Sequence, residues 1–275
     1  MYKKLTLENS DLKIIISPEL GGRVLSLFNK KKEFEWVWNN KNLIEGIVPK
    51  GTNYDDNWQG GWEELFPNDA IEKFSWGTGY DHGETWSHAW KVNESSNKKI
   101  ILETSNLDSG SKICKTYSLN GNKLRVEYCL RVSFKDIFLF KLHLAIPIYS
   151  RCNIKGNFSK IKKVEDSFGN ILETEDITHF LNLENNSKFF DFGYVENEGN
   201  HLSLHQENNS LKLTYDKEFL NYLWIFQSQG GWMGHNVLVL EPASNGKKLF
   251  KDAIYYDEYK KGPMSVETYY EVCIT

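Results

Sequence analysis

The chain has few cysteines for its length. The four, Cys114, Cys129, Cys152 and Cys273, lie far apart with no Cys-x-x-Cys pair. That spacing argues against a zinc knuckle or a disulfide framework, so reduced and mostly buried thiols are expected. A cationic excess is also missing. With 33 basic and 37 acidic residues the net charge is -4, which leaves no electrostatic footprint for nucleic acid or an anionic membrane. No apolar run approaches the length of a membrane span, and Met1 to Asn9 alternates polar and apolar residues where a secretory signal would be continuous. A cytoplasmic location is therefore expected. Helical periodicity of useful length is absent, as is any composition break that would serve as a linker. The 275 residues are accordingly read as one unit, 1–275.

What the sequence has in quantity is aromatic residues, 14%, with nine tryptophans against three methionines. Broad amphipathic rings suit β-sheet cores, and they also suit the faces of sugars. The rest of the pattern is alternation. Leu5-Thr6-Leu7 and Leu12 to Ile16 flank Asn9-Ser10-Asp11 as an opening hairpin, and Gly21-Gly22 turns the chain into Arg23 to Leu27. From Lys99 to Tyr149 short alternating runs follow at hairpin spacing, with turns such as Asn120-Gly121-Asn122-Lys123. Residues 150 to 200 are polar and irregular, with weak strands near Ile161 and Ile171, and Thr268 to Ile274 supplies a closing strand. The expected architecture is all-β, a single large antiparallel β-sandwich.

Three places depart from plain sheet chemistry. Asn236 to Leu240 reads as a buried strand that ends on Glu241-Pro242; proline cannot donate to a ladder, so a carboxylate stands at the strand exit. Burial there would raise its pKa and a ligand could reach it; a solvated strand-end glutamate is the alternative. In the run Ile137 to Tyr149, Phe138, Phe140, Leu142, Leu144, Ile146 and Ile148 form one apolar face, so His143 points the other way with Lys141 and Ala145. The long stretch from Asn39 to Asp81, including Trp58 to Asn68, reads as an aromatic loop. After it, an extended Asp81 to Trp90 would put His82, Glu84, Trp86, His88 and Trp90 on one face of a polar, aromatic-walled groove. A glutamate with a histidine is the minimum pair for moving two protons in opposite senses.

The order of these segments resembles the aldose 1-epimerase family, the galactose mutarotases and their hexose-phosphate relatives. Pro18 to Leu27 is similar to the family's P-x-x-G-G/A-x-(I/V)-x-S-L strand, and Glu64 to Asn68 to its (M/L)-F-P loop. His82-Gly83 looks like the H-G loop, Leu142 to Pro147 like the strand of the acid histidine, and Leu240-Glu241-Pro242 like the site of the base glutamate. No G-R-x-x-N-R segment is found, and Leu144 follows His143 where the family has Pro-Tyr or Thr-Tyr, so the sugar's identity stays open.

The resemblance implies the family's β-supersandwich and cofactor-independent interconversion of sugar anomers. Glu241 would act as base and protonated His143 as acid, with His82, Arg23, Trp62, Glu64, Trp86 and Trp232 as candidate sugar contacts. No metal or cofactor is expected; the partner would be a small sugar, and the protein a monomer or homodimer. Three alternatives stand beside this reading: a non-catalytic sugar-binding module on the same fold, a metal site from His82, Glu84 and His88, and a glycoside hydrolase pairing Glu241 with Glu63 or Glu64.

Overall fold

The structure, a computed structural model, describes residues 2–104, 106–164, 171–174, 181–184, 188–246 and 259–275. The opening strands are β1 (Leu5–Glu8), β2 (Leu12–Ser17), β3 (Arg23–Asn29) and the short β4 (Phe34–Glu35). One helical turn, α1 (Tyr54–Asn57), precedes β5 (Trp62–Leu65) and a small hairpin of β6 (Glu72–Phe74) and β7 (Gly77–Gly79). Then come β8 (Lys91–Ser95), β9 (Lys99–Glu103), β10 (Lys112–Asn120), β11 (Lys123–Val132) and β12 (Lys141–Pro147). The remainder comprises β13 (Cys152–Val164), β14 (Ile171–Thr174), β15 (Asn182–Leu183), β16 (Phe189–Gln206), β17 (Asn209–Tyr215), β18 (Tyr222–Gln229), β19 (Asn236–Ala243) and β20 (Met264–Ile274). No helix among the described residues is long and apolar enough to cross a membrane.

Strand pairing is antiparallel throughout and traces two layers. One runs from β8 through β9, β10, β11 and β20 to β17. The other runs from β18 through β19, β12, β5, β3 and β2 to β1. β16 belongs to both, because Phe189 to Val195 pairs with β18 while His201 to Gln206 pairs with β17. The layers close on a single apolar core that takes Leu124, Val126 and Val272 from the first and Ile14, Leu142, Leu144 and Leu240 from the second. This is the antiparallel β-sandwich that the alternation predicts.

The two layers differ in what they cover. β11 buries every second residue, as a sheet with one wet face must. β5, β12 and nearly all of β19 are buried on both faces. Their inner face meets the core, and their outer face is roofed by the segments around α1 and the 66–90 loops.

Two expectations are corrected here. The stretch read as continuous aromatic loop contains a real strand, β5, whose alternation is hidden because both faces are buried. Asp81 to Trp90 is not extended: His82 and Gly83 both have positive φ, 57° and 79°, and the chain turns there, so no period-two face exists. The paired glycines before β3 have a steric reason, since Gly21 has φ 72° and a Cβ on it would run into the carbonyl oxygen of Trp86.

Among the described residues, an ion pair is buried between the layers. Lys115, fully buried on β10, places Nζ 2.5 Å from Glu64 Oε2. Glu64 Oε1 accepts from the Tyr128 hydroxyl at 2.5 Å, and the ammonium lies 4.1 Å from the Trp90 ring centroid. A buried pair of this kind tolerates joint replacement better than loss of one member, which strands a charge. Lys115→Met alone should therefore cost about 3–5 kcal/mol in urea denaturation. The double variant Lys115→Met, Glu64→Leu should cost less. A single-variant loss below about 1 kcal/mol, the value of an exposed pair, would contradict this account.

Candidate active site

The outer face of β5, β12 and β19 builds the site by register. β12 pairs with β19 through Leu144 with Leu240 and Lys141 with Ala243, which brings His143 opposite Glu241. On its other side His143 pairs with Glu63 of β5. Cross-strand partners share a face. Lys141, His143, Glu63 and Glu241 therefore all stand on the outer face, while Leu142 and Glu64, also paired, turn into the core.

A cavity of about 190 Å³ opens over this face, lined by Tyr54, Trp58, Asp69, His82, Lys141, His143, Phe192, Phe226, Trp232 and Glu241, with Asp55 and the half-exposed Phe190 at its rim. His143 Nε2 lies 3.8 Å from Glu241 Oε1. Between Asp69 and Glu241 sits the Lys141 ammonium, 2.7 Å from Asp69 Oδ1 and 2.6 Å from Glu241 Oε2, and 4.3 Å from the Trp224 ring centroid. His82 stacks on Tyr54 with ring centroids 3.9 Å apart, and its Nδ1 is 2.8 Å from Asp81 Oδ1. Asp81 also accepts the backbone N–H of Tyr54 at 2.8 Å, tying α1 to the loop that carries His82. Trp58 sets its edge on His143, with centroids 5.2 Å apart.

Burial governs the charges. It pushes the Glu241 carboxyl above its ordinary value, and Lys141 opposes this only in part. Burial, followed by the Lys141 charge, pushes the His143 imidazole well below its ordinary value. For Lys141 burial works against the ammonium, but Asp69 and Glu241 outweigh it and the pKa is raised. Both effects on the imidazole run against the protonated His143 that the resemblance implies. Burial disfavours charge on both groups, while the Lys141 ammonium favours the Glu241 carboxylate and disfavours an imidazolium beside it.

Of the residues singled out in the sequence, Glu241, His143, His82 and Trp232 line the cavity. Four do not. Glu64 is committed to Lys115 and Tyr128 in the core. Trp62 is a core side chain whose Nε1 donates to the Ala145 carbonyl. Trp86 packs behind Tyr54, 4.8 Å between centroids. Arg23 donates to Gly60 O and Gln59 Oε1 and faces a different surface recess. The alternative metal trio also fails to form: Glu84 accepts the backbone N–H groups of Asp108 and Ser109, and no three metal-binding side chains converge among the described residues. Sequence reasoning missed Asp69, Tyr54 and Trp58, gave Lys141 no role, and named Glu63 only in the glycoside hydrolase alternative. Lys141 had a readable signal, a lysine two residues from His143 in an otherwise apolar strand.

No protein-family model matches the sequence, and no curated protein matches it. Solved structures do. A provisionally assigned aldose 1-epimerase from Escherichia coli K12 superposes with TM-score 0.79 at 13% identity, covering 100% of this chain and 99% of that one. A galactose mutarotase-like protein from Lactobacillus casei ATCC 334 gives 0.72 at 17%, with 99% and 100% covered, and one from Clostridium acetobutylicum gives 0.75 at 15%, with 100% and 95%. The chain therefore has the galactose mutarotase-like β-sandwich fold, the fold of proteins described as aldose 1-epimerases and mutarotase-like proteins.

Removing the ammonium tests the electrostatics. Without the cation a carboxylate is less favoured and an imidazolium more so, and both pKa values rise. In Lys141→Met, NMR titration should show Glu241 and His143 each titrating at higher pH than in the wild type; unchanged midpoints would rule out the close ion pair. In the wild type His143 should titrate well below 6.5.

Proposed function

We propose that the protein is a mutarotase of the aldose 1-epimerase type, interconverting the α- and β-anomers of a sugar by acid–base ring opening. The observation that carries this reading is the facing of His143 and Glu241, 3.8 Å apart, on the floor of an aromatic-walled cavity. One member of the pair takes the proton from the C1 hydroxyl as the other delivers one to the ring oxygen. The C1–O5 bond breaks, an aldehyde forms, rotation about C1–C2 exposes its other face, and the reverse transfers close the ring. After opening the two groups have exchanged roles: the one that took the C1 hydroxyl proton returns it to the carbonyl oxygen, and the other takes the O5 proton back.

Which group begins as acid depends on which of the two holds the proton. Carboxylate with imidazolium and carboxylic acid with imidazole carry the same net charge, so a titration of two such groups belongs to the pair and not to either residue. Trp58 and Trp232 offer apolar faces for the sugar ring, while Asp69 and His82 offer partners for its hydroxyls. The charge of Lys141 is offset by Asp69 and Glu241, which supports hydroxyl recognition rather than a free cation held out for an anionic group.

One observation favours a second reading, a sugar-binding module without catalysis: Glu241 is held by Lys141 at 2.6 Å, and an ion-paired carboxylate is a weaker base. The two readings separate in magnetisation exchange between anomeric protons. Glu241→Gln, shown folded by its circular dichroism, should slow enzyme-driven exchange by about 10²–10⁴-fold. Wild-type protein that binds sugar saturably yet leaves exchange at the buffer rate would establish the binding module instead.

A further inference from the structure

Behind His143 lies a second set of buried polar groups that the reaction described above does not use. Tyr54, from α1, places its hydroxyl 2.6 Å from Glu63 Oε1 and 3.3 Å from His143 Nδ1. All three side chains are buried, and Glu63 is adjacent to His143 across the β5–β12 pairing. Glu63 Oε2 has no hydrogen-bond partner, so the contact with Tyr54 is the one hydrogen bond this carboxyl makes among the described residues.

The directions of these bonds follow from a count of protons. A phenol has one proton to give. The shorter contact, to Glu63, lies in the range of a charge-assisted O–H···O⁻ bond, so the proton points there. The Tyr54 oxygen is then left only as an acceptor towards His143. A hydrogen bond to Nδ1 can form only if Nδ1 carries the hydrogen, and in a neutral ring Nε2 is then the bare nitrogen. Nε2 is the atom 3.8 Å from Glu241 Oε1. The other charged or titratable groups acting on the ring are Lys141 on the same strand, and His82 and Asp69 from the 66–90 loops. Each is engaged elsewhere: Lys141 by Asp69 and Glu241, and His82 by Asp81. Arg23 sits behind Glu63, where its charge counters the effect of burial on that carboxyl.

We infer that Tyr54, anchored by Glu63, is a positioning residue that fixes the tautomer and orientation of His143, with the proton on Nδ1 and the Nε2 lone pair presented to Glu241 and the cavity. The catalytic consequence rests on the mutarotase reading. With the hydrogen held on Nδ1, Nε2 is the nitrogen through which His143 exchanges a proton with the sugar. Tyr54 and Glu63 gain and lose nothing. They hold the ring while its outer nitrogen works.

The test reads the tautomer directly and needs no sugar. In protein labelled with 15N-histidine, at a pH where His143 is neutral, its Nδ1 should show the shift of a protonated nitrogen and Nε2 that of a bare one. Tyr54→Phe, which removes only the hydroxyl, should turn this into a mixture with the Nε2–H form. Glu63→Leu, which removes the acceptor of the tyrosine proton and frees it to point at Nδ1, should move it the same way. If the protein is a mutarotase, Tyr54→Phe should also lower kcat at least tenfold with KM within twofold. A wild-type spectrum of the Nε2–H form overturns the inference without any variant, as does a tautomer unchanged in both variants. A spectrum as expected in a protein that does not speed anomer exchange would uphold the inference and reject the mutarotase reading alone.

Discussion

Everything in the cavity depends on where Lys141 puts its charge. An ammonium taken out of water is sustained only by carboxylates at contact distance, and Asp69 and Glu241 supply them at 2.7 and 2.6 Å. That demand fixes the 66–90 loops, which carry Asp69, against the outer face of β12. It holds Glu241 in place on β19, and it adds to burial in keeping the neighbouring His143 uncharged. Lys141 thereby acts on both members of the pair that faces the cavity, favouring the carboxylate and disfavouring the imidazolium.

The sandwich makes this possible by treating the two faces of one layer differently. The inner face of β5, β12 and β19 packs apolar side chains, with the Glu64–Lys115 pair as its exception; the outer face collects Glu63, Lys141, His143 and Glu241. Two neighbouring glutamates on β5 thus serve opposite ends. Glu64 is a core ion-pair partner, and Glu63 reaches Tyr54 and through it the imidazole. A one-residue shift of β5 would exchange them, stranding a charge in the core and removing the support of His143. Register is therefore held on energetic grounds at the place where the site needs it.

The solved structures that share this fold do so at low identity, so what they have in common with this chain is the scaffold. Fold and function are separable, and chemistry resides in side chains grafted on the frame. The proposed activity accordingly rests on His143, Glu241 and the rings around them. The arrangement of Lys141, Asp69, Tyr54 and Glu63 defines how this particular chain prepares that pair.

Alternation along the chain determined the all-β class and the antiparallel pairing, because period two survives wherever one face is wet. It also put His143 and Lys141 on the face away from Leu142 and Leu144, whereas Pro242 does not end its strand: β19 pairs on through it to Ala243, so Glu241 lies within the strand and not at its exit. Where both faces are buried that signal vanishes: β5 read as loop, and Trp62 and Glu64 were taken for sugar contacts when their parity sends them to the core. The turn at His82 and Gly83 was invisible for another reason, since positive φ at a non-glycine residue is imposed by its surroundings and not by local preference. Only the tertiary structure could bring Asp69, Tyr54 and Glu63 to the pair. Burial sets which charges survive, and burial is a property of what packs on top, which no stretch of sequence contains by itself.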